Sequence, residues 1–308
     1  MKKNITLLIF VFLMSIGKAQ DIIVADAENR TPIPFVTVKL DETGLYTNEK
    51  GIFRTDLSKS KSLELHHLGY KTLKVNTVDI QDTLFMKPEA TLLNEIVINI
   101  KGENSIQLKP LRSSRKFKSY ILAMAWENVI VLHPNKEILD FFVDEVTIPF
   151  NKRNKSTKQD YLEGTKAFVR INIYEVENNM PSKQTYSSNP IEIHAQDKDE
   201  IKLDLSDLFI KLSEKGVSFG IEFLGFYDDN DNLIKSDDGT RQYIRTSLTE
   251  KASKSYTATT YIKNIFREEA TFKPLNYFIN NYHPGGIKDY DHNLRIGLKL
   301  SSPKNPGK

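Results

Sequence analysis

The sequence predicts an all-β protein built from two sandwich domains, and three observations support this. Apolar and polar residues alternate in many short segments, which is the pattern of half-buried strands. Clusters of Gly, Asn and Asp separate these segments at the spacing of antiparallel sandwiches. A long apolar stripe of helical period is missing, and only residues 205–215 suggest one or two helical turns. We expect a small N-terminal sandwich and a larger antiparallel one, for which a jelly roll is a candidate topology.

The first 19 residues have the pattern of a signal peptide. Lys2 and Lys3 give a positive start, residues 5–16 are almost all apolar, and Gly17 and Ala19 are small residues at the positions before a cleavage site. We therefore expect the mature chain to begin at Gln20. The apolar run is shorter than the roughly 20 residues of a membrane-spanning helix, although an uncleaved anchor is the alternative. The sequence thus predicts export to the periplasm, the outer-membrane surface or the cell surface, with no transmembrane segment after cleavage.

Charge and cysteine content narrow the possible partners. The chain has 43 Lys and Arg against 40 Asp and Glu, and the signal peptide carries three lysines and no acid. The mature chain is therefore neutral, which argues against nucleic acid, whose binding domains show an excess of basic residues. Since there is no cysteine, a disulfide, a cysteine-linked lipid and a thiolate metal site are excluded. We expect the partner to be an envelope protein or a glycan.

The first domain contains three short segments of alternating pattern. The apolar residues of these segments are Val36, Val38 and Leu40, then Leu63 and Leu65, then Leu73 and Val75. Alternation places each set on one face of its strand. Pro32 and Pro34 lack a backbone donor and suit the start of a strand. We expect Val36, Val38, Leu63, Leu65 and Leu73 to be buried together, with Phe53 beside them.

This domain contains three further motifs. They are Pro32-Ile33-Pro34-Phe35, the Thr-Asn-x-x-Gly-x-Phe turn of residues 47–53, and Leu68-Gly69-Tyr70-Lys71. In this order and at this spacing they resemble the carboxypeptidase-regulatory-like domain, a small transthyretin-like (Ig-like) β-sandwich of bacterial envelope proteins. The opening Gly-x-Val-x-Asp pattern is matched by Val24 and Asp26 but has Ile22 in place of glycine. Residues 92–98 resemble the segment that often follows this domain. The resemblance covers about residues 21–98 and implies a non-catalytic accessory module.

In many members of that family the following segment leads into an outer-membrane receptor barrel. About 210 residues remain after residue 98 in this chain. A plug and a 22-stranded barrel, with strands of about 10 residues each, require more chain than that. The length therefore argues against a receptor.

The pattern along the chain predicts five regions. They are a signal peptide (1–19), the regulatory-like sandwich (20–99), a linker (100–118), a second sandwich (119–301) and a disordered tail (302–308). The linker is predicted because residues 101–118 are polar and basic, contain Pro110 and lack a sustained period. In the second domain, the clearest alternating sets are Val169, Ile171 and Ile173; Val217, Phe219, Ile221 and Phe223; and Leu294, Ile296, Leu298 and Leu300.

One short segment matches a catalytic motif. Residues 216–220 read Gly-Val-Ser-Phe-Gly, which is the Gly-x-Ser-x-Gly pattern of the nucleophile elbow in α/β-hydrolases. That elbow needs a helix after the serine, whereas here an alternating strand continues. Ser218 is therefore predicted to be an outward-facing surface residue of a strand. A serine hydrolase that uses Ser218 stays as an unfavoured alternative.

Metal and ligand motifs are weak. The histidines are His66, His67, His133, His194, His283 and His292, and none forms His-Glu-x-x-His. His194 has Asp197 three residues later, in a predicted turn. The Asp228–Asp238 segment opens like an EF-hand but has Leu233 and Gly239 at the positions that need Gly and Glu. Calcium bound there in another geometry stays open, as does a stacking face made of Trp126 and the tyrosines Tyr243, Tyr256, Tyr261, Tyr277 and Tyr282.

These observations assign no catalytic, cofactor-binding or metal-ligating residue and predict no cofactor. The leading hypothesis is a non-catalytic exported envelope protein that serves as a binding or structural accessory for a protein or glycan. One alternative is a carbohydrate-binding or carbohydrate-processing accessory with a calcium-stabilised jelly roll. The other is a hydrolase using Ser218 or a carboxylate pair. A cleft of the second domain that gathers carboxylates, histidines or aromatic residues would discriminate between them.

Overall fold

The computed structural model describes most of the chain as two compact β units, Met1–Ala90 and Thr91–Lys308. The described residues are 20–41, 43–89, 101–115, 117–151, 162, 164–230, 233–234, 243–267, 271–282 and 291–303. The expected signal peptide and the segment that follows the first domain lie outside these ranges. The all-β prediction with two sandwiches is confirmed.

The described residues of the first unit form seven strands in two sheets. They are β1 (Gln20–Asp26), β2 (Thr37–Leu40), β3 (Thr43–Tyr46), β4 (Ile52–Thr55), β5 (Ser62–His66), β6 (Leu73–Asn76) and β7 (Thr83–Met86). One sheet has the order β4-β1-β7, in which β1 and β7 are parallel. The other has the antiparallel order β3-β2-β5-β6. Single 3-10 turns occur at Leu57–Lys59 and Thr77–Asp79.

The core of this unit follows the alternation seen in the sequence. Its fully buried members are Ile22, Val24, Ile33, Val36, Val38, Leu40, Phe53, Leu63, Leu65, Leu84 and Met86. Leu73 packs against this cluster but is only half-buried. The predicted strand phase is therefore correct for β2 and β5, and Leu73 was expected to be more deeply buried than it is.

The motif residues of the first unit have local structural roles. The Thr47 hydroxyl accepts a hydrogen bond from the Val36 N–H (2.8 Å) and donates one to the Ile33 carbonyl (3.1 Å). Gly51 has a φ of +69°, and a Cβ there would lie 2.9 Å from the Val24 carbonyl oxygen. Only glycine combines that backbone conformation with that close approach. The turn therefore fixes how the chain returns to β1.

The second unit contains the remaining strands and one described helix. They are β8 (Lys101–Leu108), β9 (Ser119–Ala123), β10 (Trp126–Pro134), β11 (Phe142–Asn151), β12 (Lys166–Glu177), β13 (Met180–Ser187), β14 (Ile191–Ile193), β15 (Glu200–Asp204), β16 (Ile210–Lys211), β17 (Val217–Tyr227), β18 (Tyr243–Thr249), β19 (Tyr256–Asn264), β20 (Lys273–Pro274), α1 (Leu275–Tyr282), β21 (Asn293–Leu294) and β22 (Gly297–Pro303). The helix was not predicted, and residues 205–215 contain only a 3-10 turn at Ser206–Leu208.

These strands form two large sheets with a shared apolar core. The first has the order β13-β12-β17-β10-β19-β20, with β14 also paired to β12. The second has the order β21-β18-β11-β22-β8, with β15 and β16 on β11 and β9 on β18. The core includes Ile130, Leu132, Ile171, Ile173, Phe219, Ile221, Phe223, Val146, Ile148, Leu298 and Leu300. The predicted apolar faces of β12, β17 and β22 are thus the buried ones.

The linker expected at residues 100–118 is wrong for the part that the structure describes. Residues 101–108 form β8, an edge strand that pairs antiparallel with β22. Further on, the Ser114 N–H donates to the Leu248 carbonyl (2.9 Å), and the side chain of Ser114 is buried. An edge strand needs few apolar residues because much of it stays exposed, so its polar sequence resembles a linker.

The boundary of the predicted C-terminal tail differs from the observed one. The tail was expected to begin at residue 302, but β22 continues to Pro303, so this boundary is also wrong. Residues 304–308 lie outside the described ranges.

Among the described residues, no helix is both long enough and apolar enough to cross a membrane.

Candidate functional site: a buried carboxylate pair

The sheet β13-β12-β17-β10-β19-β20 is curled rather than flat. Tyr174 on β12 and Phe272, just before β20, have ring centroids 5.5 Å apart. In a flat sheet four strand spacings of about 4.8 Å would place these strands about 19 Å apart. The Tyr261 hydroxyl on β19 also donates to the Asn179 carbonyl in the β12–β13 turn (2.8 Å). We call this curled sheet the half-barrel, and its inner face is the one that carries Tyr174.

Four charged residues form a row across the inner face of the half-barrel. Arg170 on β12 is the cross-strand partner of Glu222 on β17, Glu222 is the partner of Glu127 on β10, and Glu127 is the partner of Lys263 on β19. Directly opposite residues of a sheet point to the same face. Glu127 is 1% exposed and Glu222 is 4% exposed. The polar residues on this face of the strands suggested contact with water, but the face is buried.

The side-chain amide of Asn172 joins the two carboxylates. Its Nδ2 donates to Glu127 Oε1 (2.8 Å) and to Glu222 Oε2 (3.0 Å). Its Oδ1 accepts from Gln184 Nε2 and Ser187 Oγ, both at 2.9 Å. Since two donors already face the oxygen, the nitrogen of the amide must point to the carboxylates. Asn172 is thus held in the one orientation that bridges the pair.

Two further groups bind the carboxylates. The Tyr174 hydroxyl donates to Glu127 Oε2 at 2.6 Å, so both oxygens of Glu127 accept a hydrogen bond. Arg170 Nη1 lies 4.0 Å from Glu222 Oε2. A buried carboxylate is tolerated when it is paired or hydrogen-bonded in this way. Glu222 therefore has a cationic side chain close to its carboxylate, whereas the hydrogen bonds to the Glu127 carboxylate come from neutral groups.

This asymmetry changes the protonation of Glu127. Burial, and next the negative charge of Glu222, raise the pKa of Glu127 to about 7. The hydrogen bonds from Tyr174 and Asn172 and the charge of Lys263 oppose this increase. Burial and then the charge of Glu127 raise the pKa of the Tyr174 hydroxyl well above its ordinary value. The pair therefore combines a carboxyl group that exchanges a proton near neutral pH with a second carboxyl group at hydrogen-bonding distance from the same amide.

The Gly-x-Ser-x-Gly segment has a structural explanation at this site. A Cβ on Gly220 would overlap Glu127 Oε1, so the carboxylate of Glu127 lies across the glycine. Gly216 has a φ of +89°, and a Cβ there would lie 2.6 Å from the Leu132 carbonyl oxygen. Both glycines are thus needed for close packing rather than for a nucleophile elbow.

Ser218 is not the surface residue that the sequence predicted. It has 0% exposure, and its Oγ donates to the Tyr174 carbonyl oxygen at 3.1 Å. The alternation was read correctly, because Ser218 lies opposite to the core-facing Val217 and Phe219. The surface prediction is wrong because the second face of β17 is the inner face of the half-barrel, which is itself buried.

The other residues considered from the sequence do not converge on this site. The His194 N–H donates to Asp197 Oδ2 (2.7 Å), which closes a turn. His133 lies in an open groove of about 400 Å³ with Glu177, Glu214 and Lys215. Within the described ranges, no three His, Asp or Glu side chains are arranged to hold a metal ion. His283 and most of the Asp228–Asp238 segment lie outside those ranges.

The aromatic residues also lie apart. Trp126 packs edge-to-face on Phe278 of α1, with ring centroids 6.0 Å apart. Tyr256 and Tyr261 are buried, whereas Tyr277 is half-exposed. Among the described residues these side chains therefore do not form one stacking face.

A second polar cluster, which the sequence did not indicate, lies around Ser114. Its Oγ donates to Glu250 Oε2 (2.9 Å) and lies 3.4 Å from Nε2 of the fully buried His292. The Phe117 N–H donates to the same hydroxyl. The hydrogen bond from Ser114 is the largest of the interactions that lower the pKa of Glu250. Since the serine proton points to Glu250 and Ser114 is buried, this cluster anchors the backbone at Ser114 and Phe117 rather than forming a nucleophile.

Comparisons with known proteins give little further information. No family model and no curated protein matches the chain. Among solved structures, the clostridial cysteine protease Cwp84 after propeptide cleavage is similar at a TM-score of 0.35 and 8% identity, over 92% of this chain and 70% of that one. The cysteine protease and lectin-like domains of Cwp84, a surface-layer-associated protein of Clostridium difficile, match at 0.34 and 10%, over 92% and 63%.

Proposed function

We propose that this chain is a non-catalytic exported protein of the cell envelope, which acts as a binding or structural accessory for a protein or a glycan. The observation that supports this most strongly is the enclosure of the reactive groups in the second unit. Glu127, Glu222 and Ser218 are all at most 4% exposed, and their hydrogen bonds go to neighbouring side chains or backbone. An active site instead needs room for a substrate beside such groups.

The first unit supports an accessory role through its resemblance to the carboxypeptidase-regulatory-like domain. Two of the residues that carry the resemblance hold its turns together. The Tyr70 hydroxyl donates to Asp26 Oδ2 (2.9 Å), and Asp26 also accepts from the N–H groups of Glu28 and Asn29. These contacts connect the Leu-Gly-Tyr-Lys motif to the end of β1. We propose that this unit is a member of that family, and that the second unit supplies the binding surface.

The test combines export and binding on the whole chain. The protein is expressed with a C-terminal tag, fractions of the envelope are separated, and its N-terminus is sequenced; a start at Gln20 in the envelope fraction is expected. The purified mature protein is then applied to a glycan array and used for cross-linked capture of envelope proteins. Retention in the cytoplasm with residues 1–19 intact would contradict export. Turnover of any arrayed glycan would contradict a non-catalytic role.

A carbohydrate-processing role is the second candidate, and the Glu127–Glu222 pair favours it. Retaining glycosidases use two carboxyl groups about 5 Å apart, one of which stays protonated near neutral pH. Here both carboxyl groups bind one amide nitrogen, and the pKa of one is raised to about 7. Release of reducing ends that is lost in both Glu127→Gln and Glu222→Gln, but not in the control Glu175→Gln, whose side chain near the end of β12 is exposed, would support this candidate over the first.

A further inference from the structure

We propose that the Glu127–Glu222 pair is a proton-binding switch of the half-barrel. A proton held by the pair favours the contact of Lys263 with Phe272 that helps to close the sheet, and loss of that proton weakens this contact. This inference does not depend on the proposed function. It rests on how the two carboxyl groups and their neighbours are arranged.

The arrangement favours one shared proton over two negative charges. The carboxyl groups stand directly opposite each other on neighbouring strands, where like charges destabilise a sheet. The charged and titratable groups that face them are Arg170 and Tyr174 from β12 and Lys263 from β19. Arg170 lies beside Glu222, and Lys263 is the partner of Glu127 from the opposite side. Two carboxylates placed directly opposite each other repel, so a proton bound by Glu127 relieves that repulsion.

The closing contact of the half-barrel is linked to Glu127 from two sides. The Tyr174 hydroxyl donates a hydrogen bond to Glu127, and the Tyr174 ring packs edge-to-face with the Phe272 ring. Lys263 Nζ lies over the Phe272 ring, 5.0 Å from its centre, and Lys263 is also the cross-strand partner of Glu127. A carboxylate attracts an ammonium group more strongly than a neutral carboxyl group does. Ionisation of Glu127 therefore strengthens its attraction for Lys263 and weakens the contact of Lys263 with Phe272.

The direction of the pH effect follows from the raised pKa of Glu127. Between about pH 4.5 and pH 7 the folded chain keeps a proton that the unfolded chain has released. The stability of the folded state therefore falls as the pH rises through this window, and it levels off above it. A carboxylate held by a strong ion pair would give the opposite trend.

The first experiment observes the proton directly. The mature protein is labelled with ¹³C at the side-chain carboxyl carbons of glutamate and is titrated by NMR. We expect one glutamate carbon to titrate near pH 7, to be missing in Glu127→Gln, and to remain in the control Glu175→Gln, whose side chain is exposed. The proposal is wrong if all glutamate carbons of the wild-type protein complete their titration below about pH 5.5, the range of ordinary glutamates. This result needs no variant to fold.

The second experiment measures the closing contact. β20 pairs with β19 through Ile262 and Lys273, so amide hydrogen exchange there reports its opening. After correction for intrinsic exchange, we expect the protection of these amides to be several-fold lower at pH 8 than at pH 6 in the wild-type protein. The difference should vanish in Glu127→Gln and shrink in Glu222→Gln, which removes the repelling charge. Equal protection at both pH values in the wild-type protein would show that the proton is not coupled to closure.

Discussion

Glu127 and Glu222 are direct cross-strand partners on β10 and β17, and both carboxylates accept a hydrogen bond from the same side-chain amide, that of Asn172. Each carboxylate also has its own neighbour, Tyr174 for Glu127 and Arg170 for Glu222. The unequal neighbours explain why burial and repulsion raise the pKa of Glu127. The repulsion between the two carboxyl groups is therefore only partly offset by their neighbours Asn172, Tyr174 and Arg170.

We predict that Glu127→Gln stabilises the protein at pH 8. The pKa of Glu127 is raised from 4.5 to about 7, which corresponds to about 3 kcal/mol of penalty above that pH. A glutamine cannot ionise, and its NH₂ group can donate to Glu222. Urea unfolding followed by the fluorescence of Trp126, the single tryptophan of the chain, gives the free energy of unfolding. The gain should shrink toward zero as the pH is lowered from 7 to 4.5, and a gain that does not vary with pH would contradict this explanation.

We predict that Gly220→Ala destabilises the second unit by about 1–3 kcal/mol, the usual cost of overpacking a core. The added methyl group would overlap the Glu127 carboxylate and lie 3.2 Å from Val129 Cγ2. Truncating the carboxylate in the double variant Gly220→Ala/Glu127→Ala should make the glycine substitution much less costly. A double-mutant cycle on urea unfolding measures this coupling. Additive effects would show that Gly220 and Glu127 are independent.

The sequence could predict the faces of the strands but not what covers each face. Alternation placed Val217 and Phe219 on one side of β17 and Ser218 and Glu222 on the other, and this is correct. Polar residues on the second side suggested contact with water. That side is buried because the sheet curls, and the curl depends on contacts between residues far apart in the chain, such as Tyr174 and Phe272. Local pattern carries no information about such contacts, so the carboxylate pair was missed.

The mistaken linker has a similar cause. Strand β8 contributes only Ile106 and Leu108 to the apolar contacts, because it lies at a sheet edge. What defines it is backbone pairing with β22, nearly 200 residues later in the chain. Side-chain pattern cannot show such a pairing. By contrast, the strands β2 and β5 of the first unit have clear alternation, and the residues expected to be buried there are buried. The core residues from β1 and β7 were not predicted.

We predict that residues 101–108 resist proteolysis in the folded protein. Their backbone is paired with β22, and a protease needs an unpaired, extended segment. Brief trypsin digestion followed by mass spectrometry should therefore show cleavage after Lys101 only once the second unit unfolds. Ile106→Pro removes a backbone donor from the strand and should make this segment an early cleavage site. Early cleavage within residues 101–108 of the wild-type protein would restore the linker interpretation.

We predict that Leu65→Ala destabilises the first unit by about 2–5 kcal/mol, the usual cost of truncating a buried leucine. Leu65 is fully buried on β5 in the core of this unit. Val78→Ala is the matched control, because Val78 is 90% exposed in a 3-10 turn and its truncation should have almost no effect. Differential scanning calorimetry compares the two variants with the wild-type protein. Similar transitions for Leu65→Ala and the wild-type protein would mean that the strand phase is shifted by one residue.

We predict that Ser218 does not react as a nucleophile and that its hydroxyl has a structural role. An activated serine needs a base within hydrogen-bonding distance, but the Ser218 hydroxyl donates to the backbone carbonyl of Tyr174 in a fully buried strand. Ser218→Ala removes one hydrogen bond to that carbonyl and should lower the free energy of unfolding in urea by about 1 kcal/mol.

A fluorophosphonate probe should not label the wild-type protein. Labelling that is lost in Ser218→Ala, with the fold intact by circular dichroism, would make a serine hydrolase the better explanation. Labelling that persists in Ser218→Ala would direct attention to another serine, and Ser114→Ala would then be the variant to compare, since Ser114 lies 3.4 Å from His292.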